Sequence, residues 1–307
     1  LEKITQNKPG ERLGMPERSG NDINLFRFSH YAMATTYEIF IGHTDGIYSG
    51  QAAQAAFSLI DSLEQDLSRF IENSDISRIN RLNANQSLIV GPETMACLLE
   101  SQTVWRLTGG AFDPGAGVRI ARAKSGSRMG AQTGGAGSIA DLRLDPAHFQ
   151  VHKQDPETDL DLGGIGKGFA LDKMDELLRE WSIGEFLLHS GQSTVMIRCG
   201  EGGTGWKISL SNPEDGTILG LLDLRSGALS ASGMKKGDHI IDPRNGQKAD
   251  VKRSTWVRTE SAALADALST AFMLMSVDEI SDLIRLNPEI KSLLLIGGEI
   301  FDFGLLA

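Results

Sequence analysis

The stretch Asp159-Leu-Asp-Leu-Gly-Gly-Ile-Gly-Lys-Gly-Phe-Ala-Leu-Asp172 constrains this chain more than any other. It sets a carboxylate, Asp161, ahead of four glycines and a lysine, and then enters a helical pattern. Gly163, Gly164, Gly166 and Gly168 clear side chains from a backbone that must come close to something. Lys167 adds positive charge among them, and the free N–H groups that begin the following helix add the positive end of a dipole. Together these suit a phosphate, although a plain glycine-rich connection from an edge strand to a helix fits the same residues. Two nucleotide-binding folds are excluded. A Walker loop needs Ser or Thr directly after its Gly-Lys, where this chain has Gly168, and the spacing Gly164, Gly166, Gly168 is not Gly-x-Gly-x-x-Gly.

A chain of 307 residues accommodates one large domain or two ordinary ones, and its 40% apolar content supports a sizeable core. The net charge of −10 argues against nonspecific nucleic-acid binding, which relies on basic surface. Cys97 and Cys199 both sit in apolar runs, where buried free thiols are expected, and neither they nor the scattered histidines have zinc-site spacing. No stretch approaches the length of a membrane span. Residues 1–24, with Pro9, Gly10, Pro16 and Gly20, read as a flexible tail, and residues 25–307 as the folded domain.

Within that domain, Thr35 to Gly42 alternates like a strand, and Ser49 to Phe70 has helical apolar spacing. A second helix is expected over Pro92–Leu107, stopped by Gly109-Gly110, and a third over Phe169–Trp181. A segment crowded with Gly, Ser, Lys and Arg, residues 123–138, reads as mobile. Strands follow at Glu185–His189, Ser193–Arg198, Trp206–Leu210 and Ile218–Leu224, then mostly loop over 228–246. Helices over Glu260–Met275 and Val277–Leu286 precede a closing strand, Ser292–Ile296. This mixture without regular alternation predicts an α+β fold.

Several residues can carry chemistry. Asp266 and Thr270 are four apart on one helix face, and their hard oxygens suit Mg²⁺ or Ca²⁺. Asp266 lies among small apolar residues, where a carboxylate is costly to bury unless a cation or donor meets it; a surface Asp and a back-bonded Thr fit the same spacing. His239 is the histidine of a loop punctuated by Gly, Asp and Pro, and acts there as a base or as a turn residue bonding a carbonyl. His189, at a strand end in a Leu-rich run, reads as a satisfied core residue. Met33 and Phe70 offer apolar walls for a flat ring, or simple core. Asp113 either accepts from a ring N–H or ribose, or caps the turn at Pro114.

In order along the chain, these pieces resemble the ApbE family, the FAD:protein FMN transferases. The resemblance rests on Ala32-Met-Ala-Thr-Thr36, Leu67-Ser-Arg-Phe70 with Ser74-Asp-Ile-Ser-Arg-Ile-Asn80, and Gly110-Ala-Phe-Asp-Pro114. It continues through the glycine-rich stretch, Ser232-Gly233, His239-Ile-Ile-Asp-Pro-Arg-Asn-Gly246 and Ala265-Asp-Ala-Leu-Ser-Thr-Ala271. Single motifs are weak, but seven in the family's order, across about residues 28 to 300, are specific. The resemblance implies a T-fold-related α+β architecture, mixed sheets with packed helices in one large domain.

The resemblance also assigns roles. FAD is the donor, with Met33, Phe70 and Ala111-Phe112-Asp113 around the flavin and its chain, Asp161 and Lys167 on the nucleotide portion, and Ile241 lining the pocket. Mg²⁺ is held by the backbone carbonyl of Gly164 with Asp266 and Thr270, and His239 assists transfer. FMN passes to a Ser or Thr hydroxyl of a target protein, a redox-complex subunit among the candidates, and AMP leaves. Placement in the periplasm or at a membrane, through a lipidated N-terminus, is implied likewise. The chain departs from the family in having Met33-Ala34-Thr35 for Met-Gly-Thr, Gly191-Gln-Ser-Thr194 near a usual Gly-Gly-Asp, and a short interval between Gly233 and His239. Two further functions fit the same residues: an FAD pyrophosphatase that uses water as acceptor, and a non-enzymatic FAD-binding protein.

Overall fold

The computed structural model describes residues 24–118, 120, 137–191, 193–200, 203, 205–233, 241–247 and 253–306. It begins with a hairpin of β1 (Asn24–Ala32) and β2 (Thr35–His43). Their register pairs Ala32 with Thr35 and leaves Met33 and Ala34 as a two-residue turn. Such a turn matches the twist of its strands when both central residues take positive φ. They do so here, at 49° and 58°, without a glycine.

Helix α1 (Gly46–Leu67) starts at Asp45, whose carboxylate accepts from the N–H groups of Ile47 and Tyr48. Its buried Ala52, Ala53, Ala56, Phe57, Ile60, Leu63 and Leu67 form the inward stripe. After α2 (Asp75–Asn80) and α3 (Pro92–Leu107), strands β3 (Gln86–Ile89), β4 (Leu142–Asp145) and β5 (Gln150–Lys153) make a small antiparallel sheet in the order β3-β5-β4. Helix α4 (Gly166–Glu180) leads into β6 (Phe186–Ser190) and β7 (Thr194–Arg198). The hairpin of β8 (Trp206–Ser211) and β9 (Ile218–Leu224) precedes β10 (Ser226–Gly233) and β11 (Arg253–Thr259). The chain closes with α5 (Ala262–Ala271), α6 (Val277–Leu286), β12 (Lys291–Ile296) and β13 (Glu299–Phe303).

The main sheet has eight strands in the order β1-β2-β6-β7-β10-β11-β12-β13, each paired antiparallel to its neighbours. Period-two alternation sends Tyr37, Ile39, Ile41, Phe186, Leu188, Met196, Ala228 and Val257 to one face, against the buried sides of the helices. The other face, with Leu187, Ile197, Leu229, Trp256 and Leu293, is covered by Trp206, Leu210, Leu222 and Leu224 of the β8–β9 hairpin. This is an α+β arrangement.

Several elements differ from the expectation. Helix α4 starts at Gly166, inside the glycine run rather than after it. β10 is a strand where loop was expected, because its small residues are hydrogen-bonded on both sides, by β7 and β11. α5 stops at Ala271, where Arg253 donates to the terminal carbonyls of Phe272 (2.6 Å) and Met275. β12 is not the closing strand, since β13 pairs outside it. Cys97 is buried and Cys199 only half-buried, both free. His189 is no core residue: half-buried, it pairs with Glu38 at 2.7 Å and with the Gly191 carbonyl at 2.8 Å. The tail over 1–23 and residues 123–136 of the Gly/Ser-rich segment lie outside the described residues.

Candidate active site

The site is built where α4 and α5 meet against the sheet. A side chain at Gly168 would place its Cβ 2.2 Å from the Ala262 carbonyl oxygen, so glycine alone lets the two helices approach this closely. One turn later, Asp172 accepts from the N–H groups of Ala262 (2.7 Å) and Ala263 (2.9 Å) and from the Ser261 hydroxyl (2.8 Å). The glycine stretch therefore caps α5 with its own last residue and sets that helix's later turns against its own beginning.

Asp266 is 4% exposed. Its Oδ2 accepts from Gly168 N at 3.2 Å and lies 4.0 Å from Lys167 Nζ. Its Oδ1 accepts from Thr194 Oγ1 and Ser230 Oγ, each at 3.3 Å. Burial pushes the carboxyl pKa up, and Lys167, the Gly168 N–H and the two hydroxyls pull against it. The Asp266 charge also adds to the burial that pushes the Tyr37 phenol far up. Tyr37 donates to Met33 Sδ at 3.2 Å, which links the first hairpin turn to this carboxylate.

Thr270 Oγ1 donates to the Asp266 carbonyl at 3.2 Å, leaving its lone pairs open. A Cβ on Gly164 would sit 3.3 Å from Thr270 Oγ1 and 3.3 Å from the Phe112 ring. Gly164, Thr270 and Phe112 thus meet at one point. The turn Ala111-Phe112-Asp113 is buried, and Asp161 N donates to the Pro114 carbonyl at 2.8 Å, tying that turn to the glycine stretch. Asp113 has both oxygens engaged: Oδ1 by the N–H groups of Gly115 and Ile139 (2.9 Å each), Oδ2 by Ser138 Oγ (2.7 Å). Asp161 is half-exposed, accepting from Gly163 N at 3.0 Å and from Arg69 at 3.2 Å. Arg69 also holds Asp159, at 2.8 Å. Lys167 Nζ donates to the Gly163 carbonyl at 2.8 Å.

Of the expected site residues, Gly164, Lys167, Asp266, Thr270 and Phe112 come together, with Asp161 and Asp113 bound to the same turns. Met33 joins through Tyr37. Phe70 is different: it is 90% exposed, standing in solvent beside Arg69. Ile241 is buried, and its segment reaches the same corner, because Arg244 Cγ is 3.9 Å from where a Gly110 Cβ would be. Arg244 forks onto Asp242 and reaches Glu279 at 2.8 Å, which pins this segment. His239 lies outside the described residues. Residue types alone did not point to Arg69, Thr194 or Ser230 as site residues. Thr194 and Ser230 face each other through the β7–β10 register, which no local pattern announces.

A divalent cation fits this place on the chemistry of the donors. A carboxylate, a hydroxyl and a backbone carbonyl are hard oxygens, and among the described residues the ion-pair partner of the buried carboxylate is Lys167, 4.0 Å away. Among the described residues no group of three or more His, Cys, Asp and Glu converges. A cation held here by one carboxylate and neutral oxygens would keep positions open for phosphate oxygens, as Mg²⁺ does.

The sequence profile of the ApbE family matches residues 33–294. The FAD:protein FMN transferase of Vibrio cholerae is 24% identical over 267 residues, 79% of this chain and 79% of that protein. The FAD:protein FMN transferase of Escherichia coli K12 is 24% identical over 284 residues, 82% of this chain and 79% of its own length. The crystal structure of the ApbE protein of Thermotoga maritima superposes with a TM-score of 0.77 at 23% identity, over 92% of this chain and 97% of that one. The flavin transferase ApbE of Vibrio cholerae superposes with a TM-score of 0.78 at 21% identity, over 92% and 98%.

Proposed function

The chain belongs to the ApbE family, and from that premise we propose that it is an FAD:protein FMN transferase, moving FMN from FAD to a Ser or Thr hydroxyl of a target protein and releasing AMP. The observation that carries this reading is the buried Asp266, held with Thr270 over a side-chain-free Gly164 beside Lys167. In the transfer, the acceptor oxygen bonds to the FMN phosphorus, the bridging P–O bond breaks, AMP departs with the bridging oxygen, and the acceptor proton leaves to a base. We assign that base role to His239.

Asp266, Thr270 and the Gly164 carbonyl would hold Mg²⁺, which when bound neutralises charge on the pyrophosphate oxygens. Lys167 supplies a second positive charge, kept within the site by its bond to the Gly163 carbonyl. The cap residue of α4, Ile165, offers no side-chain acceptor, so the positive end of the helix dipole is directed at the same phosphates. Arg69 holds Asp159 and Asp161 as a fork, which would keep Asp161 in place for its assigned role on the nucleotide portion. Such chemistry depends chiefly on positioning and charge, which a rigid two-helix corner supplies.

The test is incubation with FAD, Mg²⁺ and candidate acceptor proteins. A flavin-fluorescent acceptor band with one AMP per flavin transferred is expected. FMN and AMP released without any acceptor would identify water as the nucleophile, and tight FAD binding without AMP release would identify a binding protein. Either result overturns the transferase reading.

A further inference from the structure

Ser261, the residue before α5, has one hydroxyl hydrogen and three neighbours around its oxygen. Its Oγ donates to Asp172 Oδ2 at 2.8 Å, accepts from Leu264 N at 3.1 Å and stands 3.2 Å from Glu100 Oε1. One hydrogen does not serve two carboxylates. Asp172 is the better acceptor: it is closer, and it also receives Ala262 N and Ala263 N at a helix N-terminus, where negative charge is favoured. The lone pair of Ser261 that remains faces Glu100, and a hydrogen bond forms there only if Glu100 brings the proton.

The surroundings favour that. Glu100, on α3, is faced by Asp172, Lys173 and Glu176 of α4, by Ser261, and by Cys97 of its own helix, while Glu93 is paired with Lys173 at 3.2 Å. Burial, then the Asp172 charge, push the Glu100 carboxyl up to about 7, with the Lys173 ammonium pulling against them.

We propose that Glu100 is a positioning residue for the cation site: as an acid it donates to Ser261, and the resulting Glu100–Ser261–Asp172 clamp sets α5, with Asp266 and Thr270, against Gly164. The link to the cation rests on the proposed roles of Asp266 and Thr270. Because the folded-state pKa is raised, stability from the acid form is fullest below the ordinary glutamate range. It declines as pH rises and is gone once pH has passed about 7. Above that point Glu100 has given its proton to water, and a bare carboxylate faces a lone pair and the charge of Asp172.

The experiment follows amide hydrogen exchange in the first turn of α5, corrected for intrinsic rates, from pH 5.5 to 8.5 in flavin-free wild type and in Glu100→Gln. Mn²⁺ affinity is read in parallel by the signal of the free ion. The glutamine amide donates to Ser261 at every pH and is close in shape to the acid, so the variant keeps the core filled. Wild-type protection should fall by about tenfold across the range, the equivalent of one pKa unit, and variant protection should stay level. The two proteins should bind Mn²⁺ alike at pH 6, with the variant several-fold tighter at pH 8.5. Protection that follows the same course in both proteins overturns the clamp and leaves the proposed function standing. A clamp that behaves as expected, with no Mn²⁺ binding at any pH, overturns the cation assignment of Asp266 and Thr270 and the role of Glu100 toward it.

Discussion

Helices α4 and α5 begin in contact with one another, and their N-termini are finished in opposite ways. At α5 every cue for closure is present: Ser261 accepts from Leu264 N, and Asp172 reaches across to take Ala262 N and Ala263 N. At α4 the cap position is Ile165, which has no side-chain acceptor to offer. Of the first-turn N–H groups, Gly166 N meets the Leu162 carbonyl and Gly168 N meets Asp266 from α5. An N-terminus without a cap of its own presents the positive end of the helix dipole, which suits an anion, whereas a capped one holds a helix in place. The single stretch from Asp159 to Asp172 supplies both ends, since its glycines open α4 and its last aspartate closes α5. In the proposed function, the difference separates the end of the corner assigned to the substrate phosphates from the end that holds the corner together.

That contrast can be broken at several points. Replacing Asp266 by alanine removes the carboxylate shared by the open end and the α5 face. FMN transfer should drop about 100-fold or more, the cost of removing one preorganised electrostatic group, and the residual rate should lose its dependence on Mg²⁺. A steady-state assay across Mg²⁺ concentrations checks this, and an unchanged cation requirement would refute the ligand assignment. Gly168→Ala forces the two helices apart, because the new methyl meets the Ala262 carbonyl at 2.2 Å. A loss of about 1–3 kcal/mol, or more, is expected from overpacking, read as a lower urea midpoint. Asp172→Ala uncaps α5 and should cost about 1–2 kcal/mol in the same measurement, with Mn²⁺ affinity reduced alongside. A destabilised protein with unaltered Mn²⁺ affinity would show that the closed end does not serve the open one.

The smallest effect lies outside the helix pair and sharpens the comparison by moving only the first hairpin. Ala34 holds φ of 58° in a turn that favours glycine. Ala34→Gly relieves a left-handed penalty of about 1 kcal/mol and gives part of it back as unfolded-chain entropy, so a net gain near 0.5 kcal/mol is expected. Thermal unfolding reads the sign. A loss of stability would mean that the Ala34 methyl makes contacts outweighing the strain.

Much of this was legible in the residues. Pro92 at a first helical position and Gly109-Gly110 at the other end bound α3 at Pro92–Leu107, because proline and glycine act locally. The four-residue step from Asp266 to Thr270 placed them on one face for the same reason. Where the local cue and the tertiary need conflict, the reading from sequence went astray. Gly166 and Gly168 are poor helix formers, so α4 was expected to start at Phe169, yet packing against Ala262 places Gly168 within the helix. Ser226–Gly233 lacks β-branched residues and resembles loop, yet β7 and β11 hydrogen-bond it on both sides and make it a central strand. Arg69 gave no sign of its fork onto Asp159 and Asp161, since those partners are about ninety residues away along the chain.

By itself, then, the sequence determined the inventory: a glycine-rich stretch with Asp161, Lys167 and Asp172 at set spacing, a helix face with Asp266 and Thr270, and the family to which their order belongs. Only the tertiary structure decided the pairings. It buried Asp266 beneath two sheet hydroxyls, set Gly164 against Thr270, and brought Glu100 to a hydroxyl with no hydrogen to spare. The reason is physical: spacing along a chain specifies which residues share a face, but burial and hydrogen-bond partners depend on what the rest of the chain packs against that face.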